Sequence, residues 1–65
     1  MHSNALVKPG DLIIVDDFNY RHNQIGLAIS TYTKDYLNIK ITFVVVLHGD
    51  GKFVEWNQKV LHIIQ

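Results

Sequence analysis

A tight-turn signal between two β-rich runs constrains the fold of this chain more than any other feature of its sequence. Residues 48–51 read His-Gly-Asp-Gly, and an Asp-Gly pair between strands favours a two-residue hairpin turn. Residues 38–47 alternate in side-chain character as a strand does, and residues 52–57 are again rich in β-formers. No segment keeps a helical period over about ten residues. The chain is therefore predicted to be all-β, with one helical turn at most.

The remaining β-rich runs complete a set of five short strands. They are predicted at residues 12–15, 25–33, 38–47, 52–57 and 60–64. A long loop, residues 16–24, follows the first strand, and a polar turn at residues 34–36 separates the second from the third. Gly26 and Ala28 leave one face of the second strand nearly bare, which suits the close approach of another backbone or a large ring. Five such strands can enclose a small core as one bent barrel or as two orthogonal sheets.

Length and composition favour one small domain. The chain has 65 residues, of which 48% are hydrophobic and 18% charged, and it has no cysteine. This length supports a single core, and the lack of cysteine excludes disulfides and thiolate ligands. Residues 1–5 are predicted to be a disordered tail and residues 6–65 a single domain. The longest apolar run, residues 43–47, is far shorter than the roughly 20 residues that span a bilayer, so we expect a cytoplasmic protein without membrane contact.

Several segments resemble SH3-like barrels. Residues 8–13 (KPGDLI) resemble the (K)xGDLV opening of such barrels, and residues 25–29 (IGLAI) resemble their GxGxV strand. Residues 44–56 (VVVLHGDGKFVEW) resemble their VxVxWxDGxxxxW hairpin, and Leu61 with Ile64 resembles the closing LxxI. The resemblance covers nearly all of residues 6–64. It implies a five-stranded SH3-like barrel with a long loop after strand 1 and a tight Asp-Gly hairpin between strands 3 and 4.

Small barrels of this pattern are common among uncharacterised reading frames of tailed bacteriophages, especially those of cyanobacteria. The resemblance thus implies a small phage-type structural or accessory protein, located in the host cytoplasm or the virion. Such a protein would self-associate or dock on a virion or host protein. The matching residues are turn formers and core positions, so the resemblance assigns no site. The Trp-Trp doublet of peptide-reading SH3 domains is absent after the second strand.

The predicted loop at residues 16–24 is the stretch richest in polar and aromatic groups. Asp17, Phe18, Tyr20, Arg21 and His22 offer a carboxylate, two rings, a guanidinium fork and a titratable donor. Long loops in compact domains are often functional, so these five are candidate partner-binding residues. The alternative is an ordinary connection, with Phe18 in the barrel mouth and the charges in solvent. A peptide-reading groove built around Tyr20 is a third possibility.

Two valines of the third predicted strand raise a separate question. Val44 and Val46 alternate with Phe43 and Val45, so this end of the strand is apolar on both faces. Either the barrel bends here and uses both faces, or Val44 and Val46 form an exposed patch that meets a partner. In the second case they are partner-binding residues.

Nucleic-acid binding is the alternative function. The formal net charge is zero and the basic residues are spread along the chain, which is not the footprint expected of a phosphate-binding surface. Lys34, Lys40 and Lys52 could still gather near one hairpin, with Tyr32 and Tyr36 stacking bases. These five are the candidate nucleic-acid-binding residues.

The sequence predicts no metal site, cofactor or catalytic group. Its four histidines, residues 2, 22, 48 and 62, are scattered singly, whereas zinc needs about four converging ligands. The adjacent Asp16 and Asp17 point apart on a strand, and no serine lies in a nucleophile context. We therefore expect no enzyme and no small-molecule substrate. The predicted function is a non-catalytic interaction module for a protein partner or a second copy of itself.

Overall fold

A computed structural model describes residues 6–17 and 24–64, together with the backbone of residues 2 and 3. The described chain is all-β, as predicted, with one turn of 3-10 helix at Gln58–Val60. The strands are β1 (His2–Ser3), β2 (Leu12–Val15), β3 (Ile25–Tyr36), β4 (Ile39–His48), β5 (Phe53–Asn57) and β6 (Leu61–Ile64). Within these ranges no helix is long and apolar enough to cross a bilayer.

The strands form one antiparallel sheet in the order β1-β6-β2-β3-β4-β5. The last strand returns beside β2, where Leu61 lies opposite Val15. The hydrogen-bonded order ends at β1 and β5, so over the described residues the sheet is open and is not closed into a barrel. Strand β1 lies within the segment expected to be a tail, and it pairs His2 with Ile64.

Strands β3 and β4 form a long hairpin whose far half extends beyond its neighbours. They pair from Gly26 to Tyr36, whereas β2 meets β3 only at residues 25–27 and β5 meets β4 only at residues 43–47. We call residues 29–42 the arm. Its turn is Leu37–Asn38, with the positive φ values (50° and 66°) that a two-residue type I′ turn requires. The turn predicted at residues 34–36 is therefore wrong, because those residues continue the ladder and two residues suffice to reverse the chain.

The even-numbered residues in the second half of β4 face the core. Val44 and Val46 are 0% exposed. The core comprises Val7, Ile13, Val15, Ala28, Val44, Val46 and Leu61, with Trp56, Val60 and Ile63 packed against it. The expectation that Val44 and Val46 form an exposed partner-binding patch is therefore wrong, since a partner cannot reach side chains that have no exposed surface.

Gly26 and Ala28 on β3 make room for these valines. A Cβ atom on Gly26 would collide with Val46 Cγ1 and would lie 3.0 Å from Leu47 O. The bare face of β3 is thus its core-facing side, and the expected close approach of backbone is confirmed. The larger residues that alternate with Gly26 and Ala28 consequently point outward.

The two large aromatic residues of β5 lie on opposite faces, one against the core and one in solvent. Trp56 packs against the core, as its alternation with Glu55 predicts, and Phe53 is 63% exposed. The turn before β5 is held by the Asp50 side chain, whose Oδ1 accepts a hydrogen bond from Lys52 N over 3.0 Å.

Candidate interaction surface

The sheet face turned away from the core carries a row of large apolar side chains. Cross-strand register places Leu12 opposite Leu27, and Leu27 opposite Leu47. Leu47 lies in turn opposite Phe53, so the row crosses β2, β3, β4 and β5 without a break. We call Leu12, Leu27, Leu47 and Phe53 the outer row. Directly opposed side chains lie about 4.5–5.5 Å apart at Cβ, so these residues form one continuous surface.

Most of the outer row is open to solvent. Leu12 is 53% exposed, Leu27 36% and Phe53 63%, while Leu47 is half-buried between its neighbours. Two more isoleucines on β3, Ile25 and Ile29, are 56% and 40% exposed, and Ile29 sits at a break in the β3–β4 register. Single exposed apolar residues are common on proteins, but a contiguous group of them marks a contact surface.

An aromatic cluster with one cation and one anion extends this face along the arm. Tyr32 and Phe43 lie opposite each other with ring centroids 5.5 Å apart. Lys34 Nζ lies 5.5 Å from the Tyr32 centroid and 5.9 Å from that of Phe43. A side-chain hydrogen bond with Glu55, followed by desolvation and by the charge of that carboxylate, raises the pKa of Tyr32 above its ordinary 10.0. Both charges on this stretch therefore already interact with Tyr32.

The structure separates the five candidate nucleic-acid-binding residues. Tyr32, Lys34 and Tyr36 alternate along β3 on the outer face of the arm. Lys40 lies opposite Asp35 on the other face of the arm. Lys52 precedes β5, near the far end of β4, and the strand rise puts that end roughly 27 Å from Lys40. The arrangement brings three of the five together and leaves two apart.

The candidate partner-binding loop is described only at its ends. Asp17 follows β2 and is half-buried, while Gln24 precedes β3. Phe18, Tyr20, Arg21 and His22 lie outside the described residues, so their assignment stays a prediction.

An open pocket of about 250 Å³ lies at the base of this loop. Asp16 and His62 line it, with His62 Nε2 3.5 Å from Asp16 Oδ2. These two groups form an ion pair when His62 is protonated. Over the described ranges, no three His, Cys, Asp or Glu side chains converge on a point that could hold a metal ion.

Sequence reasoning missed the outer row although its signal was present. Residues 25, 27 and 29 alternate with Gly26 and Ala28, and the odd-numbered residues of β4 are all apolar. Because β4 is apolar on both faces near residue 45, alternation alone did not say which face was buried. Which face of β4 is buried depends on which face packs closely against Gly26 of β3.

Comparison of the chain with protein-family models, with curated proteins and with solved structures gave no match.

Proposed function

We propose that this chain is a non-catalytic interaction module that associates with further copies of itself through the outer row. One observation carries the proposal: four apolar residues stand directly opposite one another across four strands, and three of them are exposed. Covering a half-exposed Leu or Phe contributes about 1 kcal/mol, half the value of burying it fully. A second copy presents the same apolar row, so face-to-face packing of two sheets covers both rows at once.

The proposal includes a fold and a biological setting. We infer that residues 6–65 have the strand arrangement of an SH3-like barrel with the sheet left open, and that the protein is a small structural or accessory component of the phage type. The support is the resemblance of residues 8–13, 25–29 and 44–56, together with a last strand that returns to pair with β2. A protein that works within an assembly needs contact surfaces rather than a catalytic centre.

Nucleic-acid binding is the second candidate, favoured by the Lys34, Tyr32 and Phe43 cluster on an exposed face. Rings that stack bases beside a cation are common in such proteins. Phosphate binding draws its affinity from several cations, however, whereas this cluster has one lysine and the Glu55 carboxylate already interacts with its Tyr32.

Solution mass tests the proposal. Light scattering over a tenfold dilution, at low and at high salt, should show self-association that salt does not weaken. Phe53→Lys should weaken this association at least tenfold because it places a charge in the outer row. Leu6→Lys is the matched control, since Leu6 is also 63% exposed but lies outside the row.

Two results would contradict the outer-row proposal. One is an unchanged mass for the Phe53→Lys variant. The other is binding of a single-stranded oligonucleotide that falls steeply with salt and is lost in Lys34→Ala, which would favour the second candidate.

A further inference from the structure

Among the residues that the structure describes, one edge of β3 has no strand beside it along the arm. Strand β2 ends its pairing at Leu27, and Ala28 then accepts from Gly10 N and donates to Asp11 O. From residue 29 to residue 36, the side of β3 that faces away from β4 meets no other strand among the described residues. The loop at residues 16–24 joins β3 at its opposite end, because Val15 N donates to Gln24 O. We call residues 29–36 of this side the arm edge.

The register identifies which backbone groups lie on the arm edge. His48 exchanges its backbone hydrogen bonds with Gly51 and Lys52, so the even-numbered residues of β4 point their backbone toward β5. The odd-numbered residues of β4 therefore bond to β3, and their partners are residues 30, 32, 34 and 36. The residues between them, Thr31, Thr33 and Asp35, direct their N–H and C=O groups to the arm edge.

We propose that a second copy of this chain pairs with the arm edge in antiparallel fashion, about a two-fold axis at Thr33. In this register Thr33 faces Thr33 of the second copy, and Thr31 faces Asp35 of the second copy. All three edge-directed residues of each chain then lie in hydrogen-bonded pairs, each exchanging two bonds. The result is one continuous sheet that runs through both molecules.

The side chains in this register are complementary. On the outer face, Tyr32 lies opposite Lys34 of the second copy, which repeats the contact that these residues already make within one chain. On the other face, the Thr31 hydroxyl lies opposite the Asp35 carboxylate. No two like charges oppose each other. Axes at Lys34 or Asp35 would oppose like charges, and an axis at Thr31 would direct Asp35 to Leu27, which β2 already occupies.

The free edge of β5, the other longer edge among the described strands, disfavours such pairing. On β5, the backbone N–H and C=O groups of Phe53, Glu55 and Asn57 point to the free edge. A two-fold axis at this edge would therefore pass through Glu55. Two carboxylates would then stand directly opposite each other. The arm edge carries no such charge at its centre, where Thr33 lies beside Thr42 with their hydroxyl oxygens 3.2 Å apart.

The same register accounts for the exposed tip of the arm. Leu37 is 80% exposed in a backbone conformation that leucine rarely adopts. Pairing about Thr33 brings Leu37 of the second copy level with Ile29, which is 40% exposed at the start of the arm edge. Two exposed apolar side chains thus meet at each end of the paired strands.

A cysteine scan tests the axis directly, because the natural chain has no cysteine. At the axis, the two Cα atoms of residue 33 lie about 5.5 Å apart, within disulfide range. The two copies of residue 35 lie about 14 Å apart, since four residues separate each from its opposite position. Under mild oxidation Thr33→Cys should form a disulfide dimer at least tenfold faster than Asp35→Cys, which is also at an exposed position. A mixture of Thr31→Cys and Asp35→Cys should yield the mixed dimer.

Equal rates for Thr33→Cys and Asp35→Cys in the folded state would overturn the proposal. The scan is run in the Phe53→Lys background, so that a failure of the outer-row proposal does not affect it. Each variant is first shown to retain the β-sheet signal by circular dichroism.

Amide hydrogen exchange on the natural chain gives a second test that needs no substitution. The amides of Thr31, Thr33 and Asp35 should exchange at least tenfold more slowly as the protein concentration rises. The amides of Tyr32 and Lys34 already bond to β4 and should change little. Concentration-independent exchange at all five positions would exclude the paired edge.

Discussion

Trp56 Nε1 donates a hydrogen bond to His48 Nε2 over 2.9 Å, beneath the hairpin formed by β4 and β5. The two rings meet edge to face at 6.1 Å, and His48 is 2% exposed. Because Nε2 accepts this bond, the neutral imidazole carries its proton on Nδ1. The buried His48 side chain is therefore hydrogen-bonded to an aromatic residue that packs against the core.

We expect Trp56→Phe to lower the free energy of unfolding by about 1–3 kcal/mol. The substitution keeps an aromatic ring but removes the donor to His48 Nε2, a buried acceptor. Urea denaturation followed by circular dichroism measures the change. Phe53→Leu on the same strand is the control. On dilute protein it should cost less than about 0.5 kcal/mol, because Phe53 is exposed within the single chain. A Trp56→Phe variant as stable as the natural protein would show that the hydrogen bond contributes nothing.

We expect Gly26→Ala to destabilise the fold by about 1–3 kcal/mol, the range for an overpacked core. The added methyl group would collide with Val46 Cγ1 and press on Leu47 O, and the backbone atom cannot turn away. Thermal and urea denaturation report the loss. Ser30→Ala, an exposed position on the same strand, should stay within about 0.5 kcal/mol. Equal stability of Gly26→Ala would mean that β3 and β4 lie farther apart than described.

We expect Leu37→Asn to raise the free energy of unfolding by about 0.5–1 kcal/mol. Leu37 has a φ of 50°, and asparagine tolerates this left-handed conformation better than leucine does. The measurement is made on dilute protein, so that stability and association stay separate. Leu6→Asn serves as control, since Leu6 is exposed and its φ is not positive. A loss of stability in Leu37→Asn would indicate that Leu37 packs within its own chain.

Alkaline titration should reveal the bond between Tyr32 and Glu55. The hydrogen bond, desolvation and carboxylate charge raise the pKa of Tyr32 above 10.0, so the folded state keeps this proton longer than the unfolded state does. The contribution of this interaction to the free energy of unfolding is fully present below about pH 10 and is lost as the pH rises through the pKa of Tyr32 in the folded state. Tyrosinate absorbance should show a lower pKa for Tyr32 in the Glu55→Gln variant than in the natural protein. The titration step that is missing in Tyr32→Phe identifies the contribution of Tyr32. An unchanged titration in Glu55→Gln would contradict the assigned cause.

The sequence alone predicted the type and approximate position of most elements. Short β-rich runs and turn residues such as Gly51, with a φ of 83°, are local signals that act over a few residues. The one misplaced turn shows the limit of such signals. Lys34 to Tyr36 have the polar character of a turn, but they pair with β4 and belong to strand β3. The chain reverses instead at Leu37, a residue type that turns do not favour.

Which face of β4 is buried was decided only by the tertiary structure. The alternation along β4 was visible in the sequence, but both of its faces are apolar around residue 45, so local pattern assigned neither. The buried face of β4 follows from a contact between distant segments. Gly26 and Ala28 are small enough to let β3 approach Val46 closely, so the face of β4 with Val44 and Val46 is turned toward the core. The outer row and the arm edge have the same origin. Each depends on cross-strand register, which arises when distant segments pair and which no single segment encodes.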